Sequence, residues 1–218
     1  MEKFEISRDL FFALEKYIIE HDMDSDSESF EIIKNRLIHK DKVDADEFFD
    51  KAIYVVLASG FSQRNAKKKH DEFRRYFATL EGEPVFEDMF KIFGNENKVK
   101  AIIEHRENKK EYRDGYYKLK TTEEKLKYLS KLPHLGKITA NHLARNLGEN
   151  VVKYDIWIQR LGVKMHGRYE DFKLVGSPLN PKIKAYADKA FKTLHKATGY
   201  PVGYIDLILW KASQQKLL

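Results

Sequence analysis

The sequence predicts an all-α protein, and three observations support this fold class. Apolar residues recur at helical spacing along nearly the whole chain, no stretch alternates apolar and polar residues as a strand does, and breaks rich in Gly or Pro separate segments of helical length. With 218 residues the chain can bury a core in one large domain or in two smaller lobes.

The N-terminal part predicts two helices joined by an acidic loop. The loop is HDMDSDSES, residues 21–29, and Ser29 or Glu28 is expected to begin the second helix. Apolar residues at helical spacing predict the inward face of the first helix, namely Phe4, Leu10, Phe11, Leu14, Tyr17 and Ile18. The corresponding inward residues of the second are Phe30, Ile33 and Leu37.

The middle of the chain predicts a series of shorter helices. Residues 44–59 form a largely buried helix with acidic residues in its first turn, and GFSQ at 60–63 ends it. Residues 64–77 predict a basic helix whose inward residues are Ala66, Phe73 and Phe77. Helices are also expected over 85–93 and 97–117, separated by GNEN.

The C-terminal part predicts a helical hairpin and three further helices. Residues 121–132 begin with Thr and carry Glu three residues later, which is the pattern of a capping box. PHLGK at 133–137 is a tight turn, and the next helix begins near Lys137 or Ile138. Beyond it the sequence predicts a helix at IWIQRL, another from Ile183 to Thr198 after a Pro-rich connection, and a last one after GYPVG.

Composition limits the possible functions. The chain has no Cys, which excludes disulfides, thiolate metal sites and a cysteine-ligated iron–sulfur cluster. No apolar run reaches about 18 residues, so we expect an intracellular protein, cytoplasmic and nucleoid-associated or nuclear, without a membrane partner. Residues 1–50 carry a net charge of −8 and residues 51–218 carry +14. A basic body suits nucleic acid, although lysines that simply solvate helix faces explain it equally well.

The hairpin at 132–148 allows two interpretations. The first amide N–H groups of its second helix have no partner within the helix, so they can bind the phosphate of a nucleic acid. An ordinary turn between two packed helices has the same sequence requirements. Asp155 follows the hairpin and is also ambiguous, because an Asp at that position is a good N-cap for the helix IWIQRL.

A longer motif decides between these interpretations. The stretch resembles the helix-hairpin-helix DNA glycosylases, whose motif is L-P-G-x-G-x-K-T-A, then G, a short loop and V-D-x-x-x-x-R. The matching residues are Leu132, Pro133, Gly136, Thr139, Ala140, Gly148, Asp155, Arg160 and Gly162. The chain also resembles archaeal-type 8-oxoguanine glycosylases and bacterial 3-methyladenine glycosylases locally, so the resemblance covers about residues 45–162 and 199–212. We find no match in the family for the acidic first 45 residues.

The resemblance implies a fold and a catalytic residue. It implies two α-helical lobes with DNA bound in the cleft between them, and Asp155 as the carboxylate that stabilises positive charge on the sugar as the base departs. The lysine with which bifunctional members form a Schiff base is replaced here by Ile138, so the resemblance implies a monofunctional enzyme. Lys137 should point away from the pocket, because one residue along a helix is about 100° of rotation.

The resemblance also suggests which residues contact DNA. Candidates for DNA binding are His134, Leu135, Gly136, Lys137, Thr139, Gln63, Arg64 and Lys68. Phe61, Ile138 and Trp157 are candidates for the base pocket or for the wedge that fills the gap left by a flipped base. Asp206 is a weaker pocket candidate, and Trp210 is expected to pack in the core. No cofactor is required, but the backbone carbonyls of Leu132 and Leu135 are expected to hold Na⁺ or K⁺, as hairpins of this family often do.

We therefore expect a monomeric DNA N-glycosylase of base excision repair that acts on duplex DNA containing a damaged base. The expected organisation is an acidic segment over 1–45 that packs with the C-terminal part, a lobe over 46–148 that ends in the helix-hairpin-helix at 121–148, and a lobe over 149–218 that carries Asp155. Two alternatives remain open: a bifunctional glycosylase/lyase that uses Lys137 or Lys153, and a hairpin protein that binds DNA without catalysis. The damaged base is not specified by the sequence.

Overall fold

The protein is helical throughout the part that the structure describes. The structure, a computed structural model, describes residues 4–21 and 30–218, and no strand occurs within them. None of the helices in these ranges is long and apolar enough to cross a membrane. The first six α-helices are α1 (Arg8–His21), α2 (Phe30–His39), α3 (Ala45–Ala58), α4 (Gln63–Thr79), α5 (Phe86–Phe93) and α6 (Glu96–Glu107). The others are α7 (Lys109–Lys118), α8 (Thr122–Leu129), α9 (Lys137–Asn146), α10 (Ile156–His166), α11 (Pro181–Thr198) and α12 (Val202–Gln214), with a 3₁₀ turn at Tyr169–Leu174.

Local caps explain where several helices begin and end. The side chain of Asp44 accepts a hydrogen bond from the Glu47 N–H at 2.8 Å at the start of α3. The capping box at Thr121 is present, because its hydroxyl accepts from the Glu124 N–H and Glu124 accepts from the Thr121 N–H. These caps satisfy N–H groups that the first helical turn leaves without partners. The prediction of an all-α fold is confirmed.

Three local predictions need correction or fall outside the described residues. The helix expected over 97–117 is two helices, because the backbone of Asn108 (φ −103°, ψ 12°) leaves the helical range and α7 starts in a new direction. Leu10 and Tyr17 do not face inward, since Leu10 is 37% exposed and Tyr17 is 43% exposed. The predicted loop and the helix start at Ser29 or Glu28 lie outside the described residues.

Two hydrophobic cores divide the fold. The first core lies among α3 to α9 and includes Phe48, Phe73 and Leu143. The second is formed by α1 and α2 together with α10, α11 and α12, and includes Phe11, Phe191 and Ile208. The chain therefore passes from one core to the other in the segment after α9, and this segment carries Asp155 to the junction of the two lobes.

A buried ion pair joins the two lobes behind that junction. Arg145 of α9 donates to Asp206 of α12 at 2.6 Å, and both side chains are buried. Asp206 is therefore a partner of Arg145 in the interior and does not line the pocket, which corrects the pocket assignment made from its helical spacing. Removing one partner of such a pair typically costs about 3–5 kcal/mol, because the other charge is left buried and uncompensated.

Candidate active site

The hairpin between α8 and α9 is shaped by a left-handed residue and by contacts to two of its carbonyls. His134 adopts a left-handed backbone conformation (φ 57°), which the family motif assigns to glycine and which His tolerates better than most residues. The Leu135 N–H donates to the Leu132 carbonyl at 3.1 Å, and His105 of α6 lies 3.0 Å from the Pro133 carbonyl through Nε2. His105 was not singled out from the sequence, because its partner is 28 residues away.

The N-terminus of α9 opens at the surface of this hairpin. The Thr139 hydroxyl accepts from the Gly136 N–H at 2.7 Å, and the first helical bond runs from Ala140 N–H to the Gly136 carbonyl at 2.8 Å. The N–H groups of Lys137 and Ile138 precede that bond and have no carbonyl four residues back within the helix, so they can bind an anion. Gly136 has φ −99°, so its role is not to supply a left-handed turn.

Asp155 lies at the end of the extended segment that joins the lobes. Its Oδ1 accepts from the N–H groups of Trp157 at 3.0 Å and Ile158 at 3.2 Å, which caps α10. Its Oδ2 lies 3.4 Å from the Nζ of Lys153. The side chain of Lys153 is 14% exposed and that of Asp155 is 15% exposed. Alternate residues of an extended segment point to the same side, which explains why Lys153 and Asp155 face one cavity while Tyr154 faces another.

The cavity at Asp155, which we call the Asp155 pocket, has a volume of about 510 Å³. Aromatic side chains and several polar groups line its walls. The aromatic residues that line it are Tyr54, Phe61, Trp157 and Trp210, and the polar ones include Gln63, His142, Lys153, Asp155 and Gln214. Burial, together with the nearby cations Lys153 and Arg145, holds the pKa of His142 well below its usual value, so His142 is a neutral imidazole at neutral pH.

The residue at the position of the family motif's lysine is apolar and lies in the wall of the pocket. Ile138 lines the Asp155 pocket and also borders a second, larger cavity of about 910 Å³ between the lobes, which we call the interlobe groove. Lys137 lines the interlobe groove and is not among the residues of the Asp155 pocket. The amine nearest to Asp155 in the described pocket is therefore Lys153.

The loop between α3 and α4 lies across the mouth of the pocket. The ring of Phe61 is 46% exposed and packs against Phe93, with 5.2 Å between the ring centroids. The loop is held by Lys98, whose ammonium donates to the carbonyls of Leu57 at 3.1 Å and Ser59 at 2.5 Å. Lys98 was not singled out from the sequence, because its role depends on carbonyls about 40 residues earlier.

The remaining candidates on α4 separate into two groups. Arg64 and Lys68 are exposed one turn apart, as a phosphate-binding face requires. Gln63, in contrast, is buried, and its Oε1 accepts from the Nζ of Lys211 at 2.8 Å. Gln63 therefore lies in the wall of the Asp155 pocket and not on the exposed face of α4 that carries Arg64 and Lys68.

The two-lobed helical fold is shared with solved DNA glycosylases. The chain is similar to an 8-oxoguanine glycosylase/lyase of Methanocaldococcus jannaschii, solved with a 15mer DNA containing 8-oxoguanine, with a TM-score of 0.67 and 18% identity over 96% of this chain and 99% of that chain. The 8-oxoguanine DNA glycosylase of Thermotoga maritima matches with a TM-score of 0.63 and 21% identity over 93% of this chain and 94% of that one. No protein-family model and no curated protein matches the chain.

Proposed function

We propose that this protein is a DNA N-glycosylase of base excision repair that hydrolyses the bond between a damaged base and its sugar. The observation that carries the proposal is the position of Asp155. Its carboxylate is fixed by two N–H groups of α10 and faces an aromatic pocket beside a hairpin whose helix amides are open to an anion. The similarity to 8-oxoguanine glycosylases supports it through the fold.

The geometry accounts for binding of duplex DNA by a monomer. A phosphate bound at the N–H groups of Lys137 and Ile138 places the adjacent nucleotide at the wall that α9 shares with the Asp155 pocket. Such a contact positions the DNA without reading its sequence. Phe61 fills the space that a flipped nucleotide leaves, and Arg64 and Lys68 bind neighbouring phosphates.

The pocket accounts for cleavage. A flipped base lies among Tyr54, Trp157 and Trp210, and its sugar lies over Asp155. As the bond breaks, positive charge develops on the sugar, and a fixed carboxylate stabilises it without reorganising. Because Oδ1 is held by α10, Oδ2 remains to orient the attacking water. A purely DNA-binding protein would need the hairpin but not this carboxylate.

The absence of an amine at position 138 favours hydrolysis without strand cleavage. A lyase reaction needs an uncharged amine to form a Schiff base with the sugar, and Ile138 offers none. A glycosylase/lyase that uses Lys153 is the second candidate, because its Nζ lies in the same pocket. Its Nζ forms an ion pair with Asp155 at 3.4 Å, and a paired ammonium has no lone pair with which to attack.

The hairpin also fits an alkali ion. The Leu132 carbonyl accepts one hydrogen bond, from Leu135 N–H, and a carbonyl oxygen has a second lone pair. The Leu132 and Leu135 carbonyls would hold Na⁺ or K⁺, which would neutralise part of the charge of a bound phosphate.

A panel of duplex oligonucleotides, each with one modified base, tests the proposal. The proposal predicts that at least one base is released and that the strand stays intact until alkali is added. Borohydride added during the reaction distinguishes the two candidates, because it traps only a Schiff base. A trapped protein–DNA adduct would contradict hydrolysis, and release of no base from any duplex would contradict a glycosylase.

A further inference from the structure

Two opposite charges face the same cavity, and the proposed function uses only one of them. Lys153 lies 3.4 Å from the Oδ2 of Asp155 and 4.9 Å from the centre of the Trp210 ring. It is also near enough to His142 to lower the pKa of that imidazole. The ammonium is therefore located between the carboxylate that would face the sugar and the aromatic wall that would face the base.

This location matches the second charge that the reaction produces. When a neutral base departs, the electron pair of the C1′–N bond leaves with it, so the sugar becomes positive and the base becomes negative. A carboxylate stabilises the first charge, and a cation near the aromatic wall stabilises the second. Such preorganised charges act most strongly in a site from which water is excluded, and Lys153 is only 14% exposed.

We propose that Lys153 is a catalytic residue of the proposed glycosylase, acting as the ammonium that receives the negative charge of the departing base. The proposal rests on the proposed function. It assigns the pocket to bases that are neutral before cleavage, such as oxidised purines. Bases that are alkylated on a ring nitrogen carry a positive charge in DNA, and this ammonium disfavours their entry and gives no help to their departure.

Water and Asp155 account for the movement of protons. The C1′–N bond breaks and the base leaves with the electron pair, so it carries a negative charge that the ammonium stabilises. Water adds its oxygen to C1′ and gives a proton to Oδ2 of Asp155, which passes it to the released base. The net change is one water consumed, a free base and an abasic sugar; Lys153 keeps its charge throughout, and Asp155 recovers its own.

Two substitutions at this position separate charge from nucleophilicity. Lys153→Met keeps the aliphatic stem that packs on Trp210 but removes the charge, whereas Lys153→Arg keeps the charge but cannot form a Schiff base. Lys189→Met is the matched control, since it removes an exposed lysine of α11 that lines neither the Asp155 pocket nor the interlobe groove. Thermal melting of each variant verifies the fold.

The measurement is the single-turnover excision rate at saturating protein. Substrates are the neutral panel base that the wild type releases fastest and 7-methylguanine, which is cationic. We expect Lys153→Met to lose about 100-fold or more on the neutral base and to lose little or gain on the cationic one. Lys153→Arg should stay within about tenfold of the wild type on the neutral base, and Lys189→Met should match the wild type.

Several results would overturn the assignment of Lys153. Equal losses of Lys153→Met on both bases, no loss on the neutral base, or a wild type that releases only cationic bases would each do so. A borohydride adduct that disappears in Lys153→Arg would make Lys153 a nucleophile instead. A wild type that releases no base from the whole panel would be a failure of the glycosylase proposal itself.

Discussion

Gly136→Ala separates the DNA-binding role of the hairpin from its structural role. An added methyl would meet only the Thr139 hydroxyl, at 4.0 Å, so it would project into open space at the mouth of the hairpin. The backbone at Gly136 (φ −99°) is one that alanine adopts without strain. Loss of unfolded-state freedom stabilises the variant by about 0.4–1 kcal/mol, and alanine is a poorer N-cap by a similar amount.

Stability should therefore change by less than about 0.5 kcal/mol, whereas DNA affinity should fall. The methyl stands where a phosphate must approach the N–H groups of Lys137 and Ile138. A hydrogen bond to a charged group contributes about 1.5–3 kcal/mol, so loss of one corresponds to roughly 10- to 100-fold in Kd. Fluorescence anisotropy with a labelled duplex at fixed salt, beside thermal melting, measures both quantities. Unchanged affinity in a fully folded variant would refute a phosphate site at the hairpin.

Gly162→Ala is the control, because it changes another glycine of the same motif. A Cβ at Gly162 would lie 2.8 Å from the backbone nitrogen of Ala187 and 3.1 Å from its Cα, so α10 and α11 would have to separate. Overpacking of this kind costs about 1–3 kcal/mol. This variant should lose stability and, where it remains folded, keep its affinity for DNA.

Two further predictions concern charge. Affinity for undamaged duplex DNA should depend strongly on salt and little on sequence. If the protein makes four phosphate contacts, its affinity should fall about 100-fold from 50 to 200 mM salt. An affinity that does not change over this range would exclude a DNA role. Burial raises the pKa of the Asp206 carboxyl from 3.8 to about 6, although Arg145 opposes the shift. The folded state therefore binds this proton more tightly than the unfolded state does. As a result, the free energy of unfolding should decline as pH rises from about 4 to 6. In Asp206→Asn this pH dependence of the unfolding free energy, measured by urea unfolding, should be absent. Identical pH profiles for the variant and the wild type would contradict the prediction.

Most of the fold follows from local patterns in the sequence. Apolar periodicity located the helices, and the capping box at Thr121 fixed the start of α8. These signals lie within a few residues, so a single sequence contains them. The break at Asn108 was missed because the helical pattern continues across it and only the backbone direction changes.

The site was predictable only in part, because several of its contacts join distant segments. The motif located Asp155, Ile138 and the hairpin. It could not show that Gln63 turns inward to Lys211, 148 residues later, or that Arg145 pairs with Asp206. Lys153 had a local signal, since it stands two residues before Asp155 in an extended segment, but the pocket on that side of the segment appears only when the lobes are packed.

The excision rate of Asp155→Asn tests the central claim most directly. Asparagine is also a good N-cap, so α10 and the shape of the pocket should persist while the charge disappears. On the panel base that the wild type releases fastest, we expect single-turnover excision to fall by about 100-fold or more with DNA affinity unchanged or slightly higher. An Asp155→Asn protein that releases the base as fast as the wild type would show that Asp155 only caps α10 and would contradict the catalytic role assigned to it.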